Sequence, residues 1–240
     1  MNNNMLNFFK KHFGELIEHE ISGLRDYCDV VEGFLEKEKF DISKKYDGLE
    51  NIKHTHEDYY YKFTHEFEEE YFTFSVEYSN TFRFSIITLT YSFLESYLKK
   101  ICDHIYRHKK LKFTIKDLGN SYIDNLKKYL TKTCDVDIGT YDEWKFIVKI
   151  QLLRNRIIHS RGEFEVHQKK SKLANFVEEH PSLSLKNHLH LDKLNKRDTS
   201  VSYEIIIVDK ELGIEFIKNV EDFLLRLISE VFKEENTEDT

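Results

Sequence analysis

The sequence predicts an all-α helical bundle with a small β-hairpin inserted before the C-terminal helix. Three observations carry this expectation. Large apolar residues recur in steps of three and four over most of the chain, which is the spacing of one helix face. Helix breakers are scarce, with one Pro (Pro181) and eight Gly in 240 residues. The helical period lapses only late, where leucines alternate from Leu183 and Ile and Val crowd between Val201 and Val208.

The first helix is expected from Leu6 to Phe34, on the apolar series Leu6, Phe9, Phe13, Leu16, Ile17, Leu24, Tyr27, Val31 and Phe34. Gly23 and Gly33 weaken it only slightly. Phe40 to Asn51 contains Asp47-Gly48 and few apolar residues, which suits a loop or a short helix. Tyr59 to Tyr78 is aromatic and acidic and suits a helix or a strand, with helix favoured. The strongest period runs through Phe84, Ile87, Tyr91, Leu94, Leu98, Ile101 and Ile105. Ile86, Phe93 and Tyr97 widen that face, so this helix should be buried on more than one side. Either it is central to a bundle, or it serves a bundle and a second chain at once.

A basic break, Arg107 to Lys112, follows it. Ser121 to Lys132 reads as another helix, and Asp135 to Thr140 as a loop around Gly139. Tyr141 to Ser160 is helical, with Trp144, Ile147, Ile150, Leu153, Ile157 and Ile158 at core spacing. Arg161-Gly162 is a natural stop, because glycine tolerates the left-handed cap. Phe164 to Thr199 is rich in Lys, His and Asn, and within and after it the runs at Leu183–Leu191 and Val201–Val208 are expected to pair as a hairpin. Asp209 to Lys233 carries Phe216, Val220, Phe223, Leu227 and Val231 and is the last amphipathic helix. The expected organisation is an N-terminal helical extension over 1–60, a helical domain over 61–235 and a disordered acidic tail over 236–240.

Composition narrows the function classes. With 40% hydrophobic and 33% charged residues, the chain has neither a disordered nor a membrane composition. No uncharged apolar run approaches the roughly 18 residues a bilayer span needs, and the start, MNNNMLNFFKKHFGE, lacks the basic-then-apolar order of a signal peptide. Cys28, Cys102 and Cys134 are odd in number and far apart, which excludes a zinc ribbon or a disulfide framework. The expectation is a soluble protein of the reducing cytoplasm that makes no membrane contact. A net charge of −7 argues against a broad nucleic-acid-coating surface but leaves room for a local basic groove.

The informative segment is Leu153-Arg154-Asn155-Arg156-Ile157-Ile158-His159, near the end of an expected core helix. Arg154 stands four residues from both Ile150 and Ile158, so a charge leans toward the packed face. Asn155 and His159 are i and i+4 and share a face. A guanidinium, an amide and an imidazole at one helix end suffice to break an RNA phosphodiester without a metal. An imidazole titrating near pH 6.5 can take the proton of the ribose 2′-hydroxyl or give one to the leaving oxygen. A guanidinium can hold the dianionic phosphorane through bidentate hydrogen bonds. The same residues at a helix C-terminus also suit a plain surface role beside the helix dipole.

The stretch IQLLRNRIIHSRG resembles the signature of the HEPN superfamily of helical domains: Arg, four to six residues, His, often with Asn directly after the Arg. Arg154, Asn155 and His159 match it, and the apolar helix FRFSIITLTYSFLESYLKKICDHIY resembles the family's other core helix. The resemblance covers about Thr81 to Lys233. It implies a homodimer with a four-helix-type core and a cleft at the dimer axis where two Arg-His pairs meet. It implies a metal-independent endoribonuclease needing no cofactor, with catalytic residues Arg154, Asn155 and His159. Many relatives are toxins or abortive-infection effectors acting on tRNA or other cellular RNA, and any restraint here would come from a separate antitoxin or sensor protein. Other relatives are silent scaffolds that bind nucleotide or a partner protein, and this is the alternative reading. A variant ending His-x-Tyr is tied to nucleotidyltransferase antitoxins, whereas this chain has His159-Ser160-Arg161.

Around this motif stand supporting candidates. Glu95 is the sole charge between Phe84 and Leu98 and is either a buried partner orienting Arg154 or a rim residue reaching solvent. Arg156 and Arg161 flank the motif and suit RNA phosphates. Lys109 and Lys110, with Arg107, His108 and Lys112, and Lys169 and Lys170, with Lys172, could track an RNA backbone or simply be solvated loops. His104 and His108 are a usable i, i+4 ligand pair, as are His54/His56 and His188/His190, but nothing at a specific spacing completes a metal site, so none is expected. Tyr59 to Tyr61 offer rings on which bases could stack.

Overall fold

The computed structural model describes residues 3–53, 56–118, 122–165, 171–189 and 201–233. Along these run helices α1 (Asn3–Lys45), α2 (Glu57–Phe72), α3 (Ser79–His108), α4 (Tyr122–Cys134) and α5 (Asp142–Ser160). Strand β1 (Glu163–Glu165), helix α6 (Lys172–Glu179), strands β2 (Leu183–Leu189) and β3 (Val201–Ile207), and helix α7 (Glu211–Val231) complete the order. The fold is all-α with a small antiparallel sheet ahead of the C-terminal helix.

The sequence period locates most of this. Helices α3, α5 and α7 lie where the apolar steps put them, and the expected hairpin is β2–β3, paired from Leu183↔Ile207 to Leu189↔Val201. The differences have local causes. α1 continues to Lys45, well past Phe34, on a stripe of buried Cys28, Leu35 and Ile42. Tyr27 and Phe34, counted among its apolar positions, are exposed. α2 passes into α3 through a π-turn at Thr73–Tyr78, a change of hydrogen-bond register that leaves no mark in composition. β1, at three residues, is too short for alternation to show. α6 was hidden by the Lys- and His-rich composition around it. It starts where Ser171 Oγ accepts from Ala174 N at 3.2 Å, and it buries Leu173, Ala174, Phe176 and Val177. The acidic tail expected at 236–240 lies outside the described residues.

The chain divides into two compact units, residues 1–25, 88–152 and 215–240 in the first, and 26–87 and 153–214 in the second. The first is a helical core of Ile17, Ile21, Tyr91, Leu98, Ile150 and Phe216. Trp144 packs on Phe223 with ring centroids 5.3 Å apart, and the Arg226 guanidinium lies 3.6 Å over the Tyr141 ring. Tyr97 Oη donates to Glu20 at 3.0 Å. Tyr91 and Leu94 are 1% and 0% exposed, so their part of the wide apolar arc of α3 is filled within the chain itself. Tyr91 and Leu94 therefore leave no free surface for a second chain.

The second unit holds the sheet, in the order β1-β3-β2. β1 covers only Ser202 to Glu204 of the central strand. The remaining backbone groups of β3 need partners, since an unmet buried amide is costly. Gly162 O accepts from Ile205 N at 3.1 Å. Buried Asn80 then acts as a strand would: its Nδ2 donates to Ile205 O at 3.2 Å and its Oδ1 accepts from Ile207 N at 2.9 Å. Arg83 Nη1 donates to Ile207 O at 2.9 Å, while its Nε and Nη2 hold the Glu32 carboxylate at 2.7 and 2.8 Å. Both side chains of that pair are buried. Removing either one would strand the other charge, which typically costs about 3–5 kcal/mol.

Candidate functional site

The end of α5 is built by helix period and closed by a left-handed cap. Leu153 and Ile157 are buried, which fixes the roll of the helix. Arg154, Asn155 and Arg156 are then half-buried and His159 is exposed. Ile158, expected in the core, is 47% exposed, because the 3.6-residue turn carries it off the buried stripe. Arg154 Nη1 donates to Asn155 Oδ1 at 3.3 Å, so amide and guanidinium are joined. Asn155 and His159 share a face, as their spacing requires.

Arg161 ends the helix at φ 51, its N–H donating to Ile157 O at 2.9 Å, and Gly162 follows at φ 85. Gly162 is needed twice over. Its φ suits glycine, and a Cβ there would meet the Phe84 ring at 2.8 Å. Ser160 Oγ lies 2.8 Å from Glu163 O and 3.0 Å from Arg156 O, and Arg156 Nη1 donates to Glu163 O at 3.4 Å. These contacts tie the helix end to β1 and commit Arg156 partly to structure.

The second unit thus brings Arg154, Asn155, Arg156, His159 and Arg161 onto one helix end. The other candidates lie on other elements. Glu95 is half-buried on α3 in the first unit. Lys109 and Lys110 are exposed just beyond α3 in that same unit, with Lys109 Nζ donating to Thr133 O at 2.6 Å. Lys169 and Lys170 lie outside the described residues. His104 is half-buried between Phe9 and Phe232, at centroid distances of 4.3 and 5.2 Å, and this burial, helped by His108 and Arg107, pushes its pKa down. His54 and His190 lie outside the described residues. Among the described residues no three His, Cys, Asp or Glu side chains gather as a metal-binding group.

Beside the motif, the second unit has a cleft of about 570 Å³. Ile157, Phe84 and Ile206 give it apolar walls, and Arg161, Lys186, Glu77 and Glu204 line it with charge. Lys186 sits opposite Glu204 in the sheet register, with its ammonium 4.5 Å from the centroid of the Phe72 ring. The residues other than Arg161 carry no motif. Only the strand alternation that sets Ser184 and Lys186 against Leu183 and Leu185 hints that Lys186 faces away from the core. Among the described residues no helix is long and apolar enough to cross a membrane. Compared with known proteins, the chain matches no family model, no curated protein and no solved structure.

Proposed function

We propose that the chain is a metal-independent endoribonuclease of the HEPN type, acting in the cytoplasm as a homodimeric toxin or antiphage effector. One observation carries the reading: a half-buried guanidinium braced by an amide, and an exposed imidazole, share one capped helix end. In the proposed reaction His159 of one copy takes the proton of a ribose 2′-hydroxyl. The 2′-oxygen attacks phosphorus, the bond to the 5′-oxygen breaks, and that oxygen leaves with a proton from the other copy's imidazole. Arg154 holds the doubly charged phosphorane between these steps. The products are a 2′,3′-cyclic phosphate and a 5′-hydroxyl.

The need for two copies is geometric. Five residues of α-helix turn Arg154 and His159 about 140° apart, so one helix splays them. Two helices facing across an axis bring one copy's imidazole toward the other's guanidinium, and an isologous dimer does so twice. Ile158, exposed on the same helix end, offers an apolar contact for such a pairing. A flexible RNA loop, such as one in a tRNA, would enter that groove more readily than a duplex. Restraint would rest with a separate antitoxin or sensor.

The test is to incubate the pure chain with total RNA and EDTA and to map the ends. Cyclic phosphates with 5′-hydroxyls support the reading; 5′-phosphates that form only with added divalent metal overturn it. Ile158→Arg tests the dimer by light scattering and cleavage together. Loss of both is expected, and a folded monomer cutting at the wild-type rate contradicts the shared groove.

A further inference from the structure

The cleft beside α5 has a volume within the roughly 300–1,000 Å³ range of small-ligand sites. Its charges are balanced, with Arg161 and Lys186 against Glu77 and Glu204. A bare polyanion would meet the two carboxylates as well as the two cations. The occupant that fits must carry an anion, a flat apolar body and hydrogen-bond donors on its far edge.

Arg161 is the most telling part. An L-residue in the left-handed region costs about 1–2 kcal/mol that glycine does not. The cap itself needs only the backbone N–H, which bonds Ile157 O. What Arg161 adds over glycine is an exposed guanidinium at the cleft, and no hydrogen bond or ion pair occupies it among the described residues. Lys110 and Asp135 also sit in the left-handed region; what sets Arg161 apart is that its guanidinium lines the cleft. The π-turn also lines the cleft, contributing Val76 and Glu77, and single π-turns within helices are frequent at functional sites. Lys186 over Phe72 sets a cation beside an aromatic face.

We infer that this cleft is a guanine-reading subsite for the RNA nucleotide next to the scissile phosphate. The inference rests on the ribonuclease reading, since Arg161 is two residues from His159 on the same helix end. A base slides between the apolar walls, its phosphate meets Arg161 and Lys186, and a carboxylate accepts from its Watson–Crick edge. Guanine is singled out because its edge offers N1–H and N2–H₂ side by side to the two oxygens of one carboxylate. Uracil offers a single N–H there, and adenine and cytosine offer only an amine.

The experiment is calorimetric titration of the full chain, in EDTA, with the 5′-monophosphates of guanosine, adenosine, cytidine and uridine. Guanosine monophosphate should bind at least tenfold more tightly than the others. Arg161→Gly should melt at the same or a higher temperature yet bind it at least tenfold more weakly. Of Glu77→Gln and Glu204→Gln, one should erase the preference for guanine. Equal binding of all four, no binding at millimolar concentration, or undiminished binding by Arg161→Gly would each overturn the inference. His159→Ala separates the two proposals, because it should abolish cleavage while binding guanosine monophosphate within twofold of wild type. RNA cleavage without nucleotide binding removes the subsite alone, and nucleotide binding by a wild-type chain that never cleaves RNA removes the ribonuclease alone.

Discussion

Two helix ends in this molecule read almost alike in sequence and differ in what their charges do. α3 closes with His104 and His108 at i and i+4, then Lys109, then Lys110 in the left-handed region at φ 49. α5 closes with Asn155 and His159 at i and i+4, then Ser160, then Arg161 at φ 51. Both place cations where the helix dipole welcomes them. At the end of α3 the groups serve structure: Lys109 Nζ holds the Thr133 carbonyl, and His104 is wrapped by aromatic rings. At the end of α5 the imidazole is exposed and Arg161 opens onto a cleft. Basic composition and helical spacing say where charge gathers; burial and hydrogen bonding say whether it is free to act.

The largest expected effect separates the two ends by activity. Arg154→Ala should slow RNA cleavage by about 10²-fold or more, the usual cost of losing a donor to the transition state. Lys109→Ala and Lys110→Ala should leave the rate within a few-fold, which initial rates on one labelled RNA will show. The two caps should then differ in stability. Gly162→Ala should cost about 1–3 kcal/mol in urea unfolding, from its φ of 85 and the Phe84 ring 2.8 Å from the added carbon. Lys110→Gly, which relieves the same kind of backbone strain with no cleft at stake, should gain up to about 1 kcal/mol.

The smallest effect is a pH dependence lodged in the end of α3. Partial burial, with His108 and Arg107 nearby, lowers the pKa of His104 from the ordinary 6.5. The folded chain therefore binds fewer protons than the unfolded chain as pH falls through that value. Stability from this group is complete above about pH 6.5 and is lost progressively below it. His104→Leu should flatten the acid side of a melting-temperature profile.

What could be read in advance follows the same division. Long helices announce themselves because one buried face repeats many times, as Phe84 to Ile105 does. The hairpin shows because β2 and β3 are each seven residues long. The π-turn, the three-residue β1 and the short α6 lack enough repeats to stand out, and β1 is placed by a partner distant in sequence, Ser202–Glu204 of β3. The motif at Arg154–His159 is legible since its spacing along one helix is local. The exposure of Ile158, the left-handed Arg161 and the cleft formed with Lys186 and Glu77 depend on how separate elements meet.

The most direct test sets the two imidazole-bearing ends against each other on one RNA. Cleavage rates of His159→Ala and His108→Ala are measured beside wild type in EDTA, with folding checked by circular dichroism. His159→Ala should fall by at least about 10²-fold while His108→Ala stays within about twofold of wild type. Two folded variants that cleave equally well, or a His108→Ala chain that loses activity while His159→Ala keeps it, would contradict the assignment of the reaction to the end of α5.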